Sequence, residues 1–184
     1  MGKVTKLKVT ELKKHLKEYD QKELINLVTD LYKLNENVQQ YLTVKFNGEE
    51  TIKDLYLKAK KEIRDEFFPD KGSGKMRLAE AKSTITNFKK LTNDHVKMVD
   101  LMVFYVEVGT EFTNAYGDID ERFYSSMYSM YDKVIMECEK DEALFKEFHD
   151  RLYGIIVDSD GIGWGYPDGL ENLYYSISWL EEEE

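Results

Sequence analysis

Residues 95–116 are apolar in nearly every direction around a helical axis, which places a strong limit on the fold. A helix on a protein surface keeps a polar face, whereas a helix that is apolar all round needs partners on most sides. Its β-branched residues also suit a strand, but its length and lack of alternation favour a helix. We therefore expect a central helix over residues 95–116. Its apolar residues are Val96, Val99, Leu101, Met102, Val103, Phe104, Tyr105, Val106 and Val108.

Apolar residues recur at helical spacing through most of the remaining sequence. No pair of alternating segments suggests strands, so we predict an all-α fold of about nine helices. Short connections make consecutive helices antiparallel pairs, which fits either a compact bundle or a short irregular superhelical array. The clearest stripes are Leu24, Leu27, Val28, Leu31 and Leu34; Ile52, Tyr56, Ala59, Ile63 and Phe67; Phe123, Met127, Met130 and Val134; and Leu144, Phe148, Leu152 and Ile155.

The length of the chain favours one all-helical domain over residues 1–184. The segment from Lys71 to Lys75 has the composition of a flexible linker, so a subdivision at residues 70–75 is the alternative. No repeat of fixed period occurs, which disfavours a regular tetratricopeptide or ankyrin array.

Three acidic pairs have the three-residue spacing of a capping box at the start of a helix. The pairs are Asp20 with Glu23, Asp118 with Glu121, and Asp168 with Glu171. We therefore predict that the first member of each pair accepts a hydrogen bond from the helix that follows it.

The charge of the chain is distributed unevenly along its length. Residues 1–100 hold 21 basic and 16 acidic side chains, whereas residues 101–184 hold 5 basic and 20 acidic ones. The acidic half repels nucleic acid, so we expect no nucleic-acid partner. Apolar segments are too short to span a membrane, and the N-terminus lacks a signal peptide. Cys138 is the only cysteine, which fits a reducing compartment. These features favour a cytoplasmic protein without membrane contact.

Residues 158–169 form a glycine-rich loop and the first candidate site. Its ligand-binding candidates are Asp158, Asp160, Trp164, Tyr166 and Asp168. The first two aspartates match positions one and three of a calcium loop, but positions five and twelve offer no side-chain ligand. The glycine spacing also departs from the dinucleotide-binding fingerprint. The alternative is a structural hinge that folds the last helix back onto the core.

Tyr124, Tyr128 and Tyr131 form a second candidate site on the predicted helix after Asp118. These aromatic side chains could line a groove that binds a peptide of a protein partner or an apolar ligand. Packing between helices is the favoured explanation of the same stripe, because the core faces of helix bundles have this pattern.

The sequence contains no arrangement typical of a catalytic centre. His15, His95 and His149 lack the spacing of a zinc-binding helix, and Cys138 follows an apolar stripe that predicts burial. The Gly72–Lys75 segment lacks the first glycine and the final Ser or Thr of a phosphate-binding loop. We therefore predict no catalytic residues, no metal and no cofactor.

Two parts of the sequence resemble a family of small all-helical bacterial proteins classified as a domain of unknown function. The first part is a leucine-rich hairpin, with the segments Leu12–Leu16, Glu23–Val28 and Asn37–Leu42. The second is the turn Gly163–Trp164–Gly165–Tyr166–Pro167–Asp168. The resemblance implies an all-α intracellular bacterial protein and supplies no activity.

Two functions remain open from the sequence. The first is a non-enzymatic helical interaction or scaffold protein that binds a protein partner or itself. The alternative is a protein that binds a small ligand or a cation at the loop of residues 158–169.

Overall fold

The computed structural model describes residues 6–183, and this part of the chain is helical without any strand. The all-α fold is therefore confirmed. The helices are α1 (Val9–Leu16), α2 (Gln21–Leu34), α3 (Glu36–Asn47), α4 (Glu49–Phe67), α5 (Leu78–Thr92), α6 (His95–Tyr116), α7 (Glu121–Lys140), α8 (Glu142–Asp158), α9 (Tyr166–Tyr174) and a final 3₁₀ helix (Ser178–Glu183).

The chain divides into an N-terminal unit, Met1–Gly48, and a C-terminal unit, Glu49–Glu184. The predicted linker at residues 71–75 lies inside the C-terminal unit, where it joins two helices that pack against each other, α4 and α5. A single domain over the whole chain stays a prediction.

Helix α6 is the centre of the C-terminal unit, as its composition predicts. It packs against α4, α5, α7 and α8, and twelve of its residues are buried. Gly109 allows α7 to come close, because a Cβ at this position would lie 2.2 Å from Met127 Sδ. Cys138, on the same face of α7 as Met127, is also buried, as predicted. Burial raises the pKa of its thiol to about 12, so the thiolate that reacts with electrophiles is disfavoured.

The N-terminal unit is a pair of packed helices, α2 and α3, preceded by the short α1. The predicted capping box at the start of α2 is confirmed. The Glu23 amide donates to Asp20 Oδ1 at 2.8 Å, and the Asp20 amide donates to Glu23 Oε2 at 2.8 Å. This unit buries very little, since Val44 is its only buried side chain among the described residues.

The other two predicted caps are wrong. Helix α7 is capped by Asp120, which accepts from the Phe123 amide at 2.8 Å, while Asp118 binds a tyrosine hydroxyl instead. Helix α9 begins at Tyr166, so Asp168 lies within its first turn and not before it. Pro167 explains the earlier start, because proline lacks an N–H group and its fixed φ suits the first turn of a helix.

Candidate functional site

An open cleft of about 630 Å³ lies beside α7 and the start of α9. It brings together two sets of residues that the sequence suggests as separate sites, the glycine-rich loop and the tyrosine stripe. The sequence contains no sign that these segments meet, because about 40 residues separate them. The cleft is lined by Glu121, Tyr124, Ser125, Tyr128, Trp164, Gly165, Tyr166 and Gly169.

Trp164 is the most unusual residue of this cleft. Its side chain is 60% exposed, and its backbone has φ of +64°, a conformation that bulky residues rarely adopt. Its ring stacks on Tyr124, with 6.3 Å between the ring centres and 27° between the ring planes. Such strain costs on the order of 1–3 kcal/mol and tends to occur at functional positions. Burial of the indole offsets little of this strain, because the side chain is mostly exposed. Core packing therefore does not explain why a tryptophan occupies this position.

Tyr124 and Tyr166 form the buried wall of the cleft. The Tyr166 hydroxyl shares a hydrogen bond with Thr110 Oγ1 at 2.9 Å, and that of Tyr124 lies 2.6 Å from Thr113 Oγ1. The Tyr124 hydroxyl also donates to Asp118 Oδ1 at 3.0 Å. Burial raises the pKa of both hydroxyls, which keeps them neutral. The Tyr166 hydroxyl thus joins the start of α9 to α6, the Tyr124 hydroxyl joins α7 to α6, and both rings line the cleft.

The remaining tyrosines of the α7 stripe have different surroundings. Tyr128 is 40% exposed and lies against the backbone of α9, where a Cβ on Gly169 would be 3.0 Å from its ring. Tyr131 is fully buried, and its hydroxyl donates to the Leu152 carbonyl at 3.2 Å. Of the three candidates for partner binding, only Tyr128 is thus substantially exposed.

The three aspartates of the loop are exposed, and none of them lines the cleft. The Asp158 backbone carbonyl accepts from Asn114 Nδ2 at 2.6 Å, which holds the end of α8 to α6. Asp160 lies outside the helices, and Asp168 lies in the first turn of α9. Among the side chains of residues 6–180, no group of three or more His, Cys, Asp or Glu could hold a metal ion.

The N-terminal unit carries an apolar surface that the sequence patterns did not reveal. A groove of about 320 Å³, called here the α2–α3 groove, is lined by Val28, Thr29, Tyr32, Leu42, Thr43, Phe46 and Asn47. Phe46 is 77% exposed, and Leu34 beside the end of α2 is 81% exposed. The stripe of apolar residues on α2 is visible in the sequence, but periodicity shows only which face is apolar and not whether another element covers that face.

Arg151 on α8 is the centre of a polar cluster in the C-terminal unit. It donates to Glu107 from Nε and Nη2 at 2.7 Å each, and to Asp100 Oδ1 from Nη1 at 2.6 Å. The Tyr56 hydroxyl donates to the other oxygen of Asp100. Despite partial burial, these hydrogen bonds with two carboxylates raise the pKa of Arg151. Every charge in the cluster has a partner, so it joins α4, α6 and α8 and leaves no group for a ligand.

Comparison with protein families gives one match. The family described as a family of unknown function (DUF6155) matches residues 7–174. This match confirms the resemblance to a family of unknown function. No curated protein and no solved structure matches the chain. Among residues 6–183, none of the helices combines the length and apolar character needed to cross a bilayer.

Proposed function

Because the chain belongs to the DUF6155 family, whose function is unknown, we propose a function from its own geometry: an interaction protein that binds a second copy of itself. The contact surface in this proposal is the α2–α3 groove. The observation that carries it is the exposure of large apolar side chains on the N-terminal unit, where Val44 is the only buried residue among residues 6–48. Soluble proteins rarely leave such a surface open to water.

The exposed side chains lie on both α2 and α3. Val28 and Tyr32 on α2 are 45% and 42% exposed, and Tyr41 and Phe46 on α3 are 47% and 77% exposed. Each square ångström of apolar surface removed from water contributes about 25 cal/mol. A partner that covers the groove therefore gains free energy without any change in the fold of the unit.

Charge favours the N-terminal unit over the C-terminal unit as the surface through which two copies meet. Residues 1–48 hold nine basic and six acidic side chains, whereas residues 49–184 hold 17 basic and 30 acidic ones. Like charges therefore repel less between two N-terminal units than between two C-terminal units. A two-fold contact also covers both apolar surfaces at once, because the same patch is used on each copy.

Sedimentation velocity over a range of protein concentrations tests this proposal. We expect a concentration-dependent dimer for the natural sequence, and a monomer for Val28→Asp or Phe46→Asp, because each variant places a charge in the groove. Leu57→Asp is the matched control, since Leu57 is 53% exposed on α4 in the other unit. The control should still form the dimer. A monomer at about 100 µM, where even weak specific contacts form, would contradict the proposal.

A specific observation favours a second candidate function, the binding of an organic cation at the cleft beside α7. The exposed ring of Trp164 and the ring of Tyr128 border the same cleft as the carboxylate of Glu121. Aromatic faces attract cations, and Trp gives the strongest attraction. A carboxylate beside them adds an opposite charge. This arrangement suits an ammonium or guanidinium group better than a neutral or anionic one.

Tryptophan fluorescence separates these ligand classes. In a Trp179→Phe protein, Trp164 is the only indole, and choline should change its emission in a saturable way. The neutral isostere 3,3-dimethylbutanol should leave the emission unchanged, because it lacks the charge. Tyr128→Ala should weaken choline binding several-fold, in line with roughly 0.5–2 kcal/mol for one cation–π contact. Equal responses to choline and its isostere would reject a cation site.

A further inference from the structure

A second large cleft in the C-terminal unit lies between the start of α5 and the start of α7. Its volume is about 680 Å³. It is separate from the cleft beside Trp164, since the two share no lining residue. The lining residues are Lys75, Met76, Arg77, Leu78, Ala79, Glu80, Lys82, Ile119, Asp120, Arg122, Phe123 and Ser126.

The charge of this cleft is opposite to that of its surroundings. Residues 49–184 hold 30 acidic and 17 basic side chains, but the cleft is lined by four basic and two acidic ones. Basic groups that gather in a concave site of an acidic protein attract anions locally. Arg77 is already paired with Glu66, and Asp120 accepts a hydrogen bond from the Phe123 amide, so the excess positive charge comes from Lys75, Lys82 and Arg122.

Arg122 differs from the other three arginines of the chain. Arg64, Arg77 and Arg151 each bind a glutamate carboxylate through at least two N–H groups. Arg122 has no ion pair or side-chain hydrogen bond with any residue in the range 6–180. Its guanidinium therefore keeps the planar pair of donors that matches an oxyanion.

Lys82 provides a second cation without a carboxylate partner in the described chain. Its ammonium donates to Ser126 Oγ at 2.9 Å, and that serine shares a hydrogen bond of 2.9 Å with the Tyr105 hydroxyl. Tyr105 is fully buried, and burial raises its pKa to about 12, so the hydroxyl group is neutral. An ammonium has three donors, and Ser126 takes only one of them.

The two cations share one side of the cleft. Ser126 lies four residues after Arg122 on α7, so the two side chains are neighbours on one helix face. The bond from Lys82 to Ser126 brings the ammonium to that same face. The amides of Leu78 and Glu80 at the start of α5 donate to the carbonyls of Met76 and Arg77, so the side chains of Arg122 and Lys82 are the donors that face the cleft.

We propose that this cleft binds a small molecule through an oxyanion group, a phosphate or a carboxylate, held by Arg122 and Lys82. Arg122 binds two oxygens of the group, and the Lys82 ammonium neutralises its charge. The volume leaves room for a larger molecule behind the oxyanion.

Isothermal titration calorimetry with pyrophosphate, inorganic phosphate and citrate, at constant ionic strength, tests this site. We expect saturable binding with one molecule per chain for at least one of the three anions. Tighter binding of pyrophosphate than of citrate assigns a phosphate ligand, and the reverse assigns a carboxylate. Each of the variants Arg122→Gln and Lys82→Gln should weaken binding about tenfold or more, as expected for a charge-assisted hydrogen bond.

Lys133→Gln is the matched control, because it removes one positive charge from an exposed position on the same helix as Arg122. It should change the affinity less than about twofold, as screened charges at a distance do. Arg122→Gln should also keep the melting temperature, since Arg122 is exposed and its side chain makes no hydrogen bond or ion pair in the described part of the chain, and this keeps the test valid if Lys82→Gln unfolds. Absence of saturation by all three anions at about 10 mM, or equal weakening by Lys133→Gln, would overturn the proposal.

Discussion

Replacement of Phe67 by Ala is expected to lower the free energy of unfolding by about 3–5 kcal/mol, the usual cost of truncating a buried aromatic residue. Phe67 is 1% exposed and lies where α4, α6 and α7 meet. Its ring centre is 5.8 Å from that of Tyr105, 5.9 Å from that of Phe112 and 6.4 Å from that of Phe123. The variant thus loses contacts with two other helices and leaves a cavity between them.

Urea unfolding followed by circular dichroism measures this loss. Tyr116→Ala serves as the control. Tyr116 belongs to the same aromatic cluster, with 4.7 Å between its ring centre and that of Phe112, but it is 68% exposed. Its cost should stay below about 1 kcal/mol, as for most surface changes. Similar costs for the two variants would mean that Phe67 is not a core residue.

Replacement of Arg151 by Met is expected to cost about 2–3 kcal/mol, which is the second largest effect. The variant leaves the carboxylates of Asp100 and Glu107 on one helix without their shared cation. Breaking a fully buried ion pair costs about 3–5 kcal/mol. The Arg151 side chain is 32% exposed, so water can hydrate the two carboxylates in the variant and reduces the loss of stability.

Arg64→Met is the matched control for Arg151→Met. Arg64 also binds one glutamate through two N–H groups, at 2.9 and 3.0 Å from Glu111. Its side chain is 44% exposed, so this variant should cost less than about 1 kcal/mol in urea unfolding. Addition of Asp100→Asn and Glu107→Gln to Arg151→Met should restore stability, because these changes remove the unpaired charges. A triple variant as unstable as Arg151→Met would contradict the electrostatic explanation.

The architecture could be predicted from the sequence where one short segment contains all the residues that define a structural element. Residues 95–116 are apolar on most sides of a helical axis, and their length and lack of alternation disfavour a strand, so this segment alone indicates a central helix. The capping box at Asp20 is equally local, since both partners lie within four residues. The same reasoning was wrong at Asp168, because α9 begins three residues earlier than a cap at Asp168 predicts, with Pro167 in its first turn, and the acidic spacing cannot show this.

The sites could be predicted only in part, because they depend on distant segments. Trp164 was a candidate from its glycine-rich setting, but its contact with Tyr124 follows from the return of α9 onto α7. Tyr131 and Tyr128 belong to the same aromatic stripe of the sequence. Only the packing of α8 against α7 makes Tyr131 a core residue, whereas Tyr128 stays partly exposed. The sequence does not show that Arg122 lacks an ion-pair partner in the described part of the chain. Acidic residues lie close to it in the sequence, so an ion pair would have been expected.

The buried tyrosines have a consequence for how precisely the helices are aligned. Leucine and valine tolerate a shift between helices, because one apolar contact can replace another. A tyrosine hydroxyl does not, since each buried donor needs an acceptor at a fixed place. Four buried tyrosines each form this hydrogen bond with another helix, namely Tyr105, Tyr124, Tyr131 and Tyr166. No buried side-chain oxygen or nitrogen in the described chain lacks a partner. Four hydroxyl groups thus select one register for the bundle out of the several that apolar packing alone would accept.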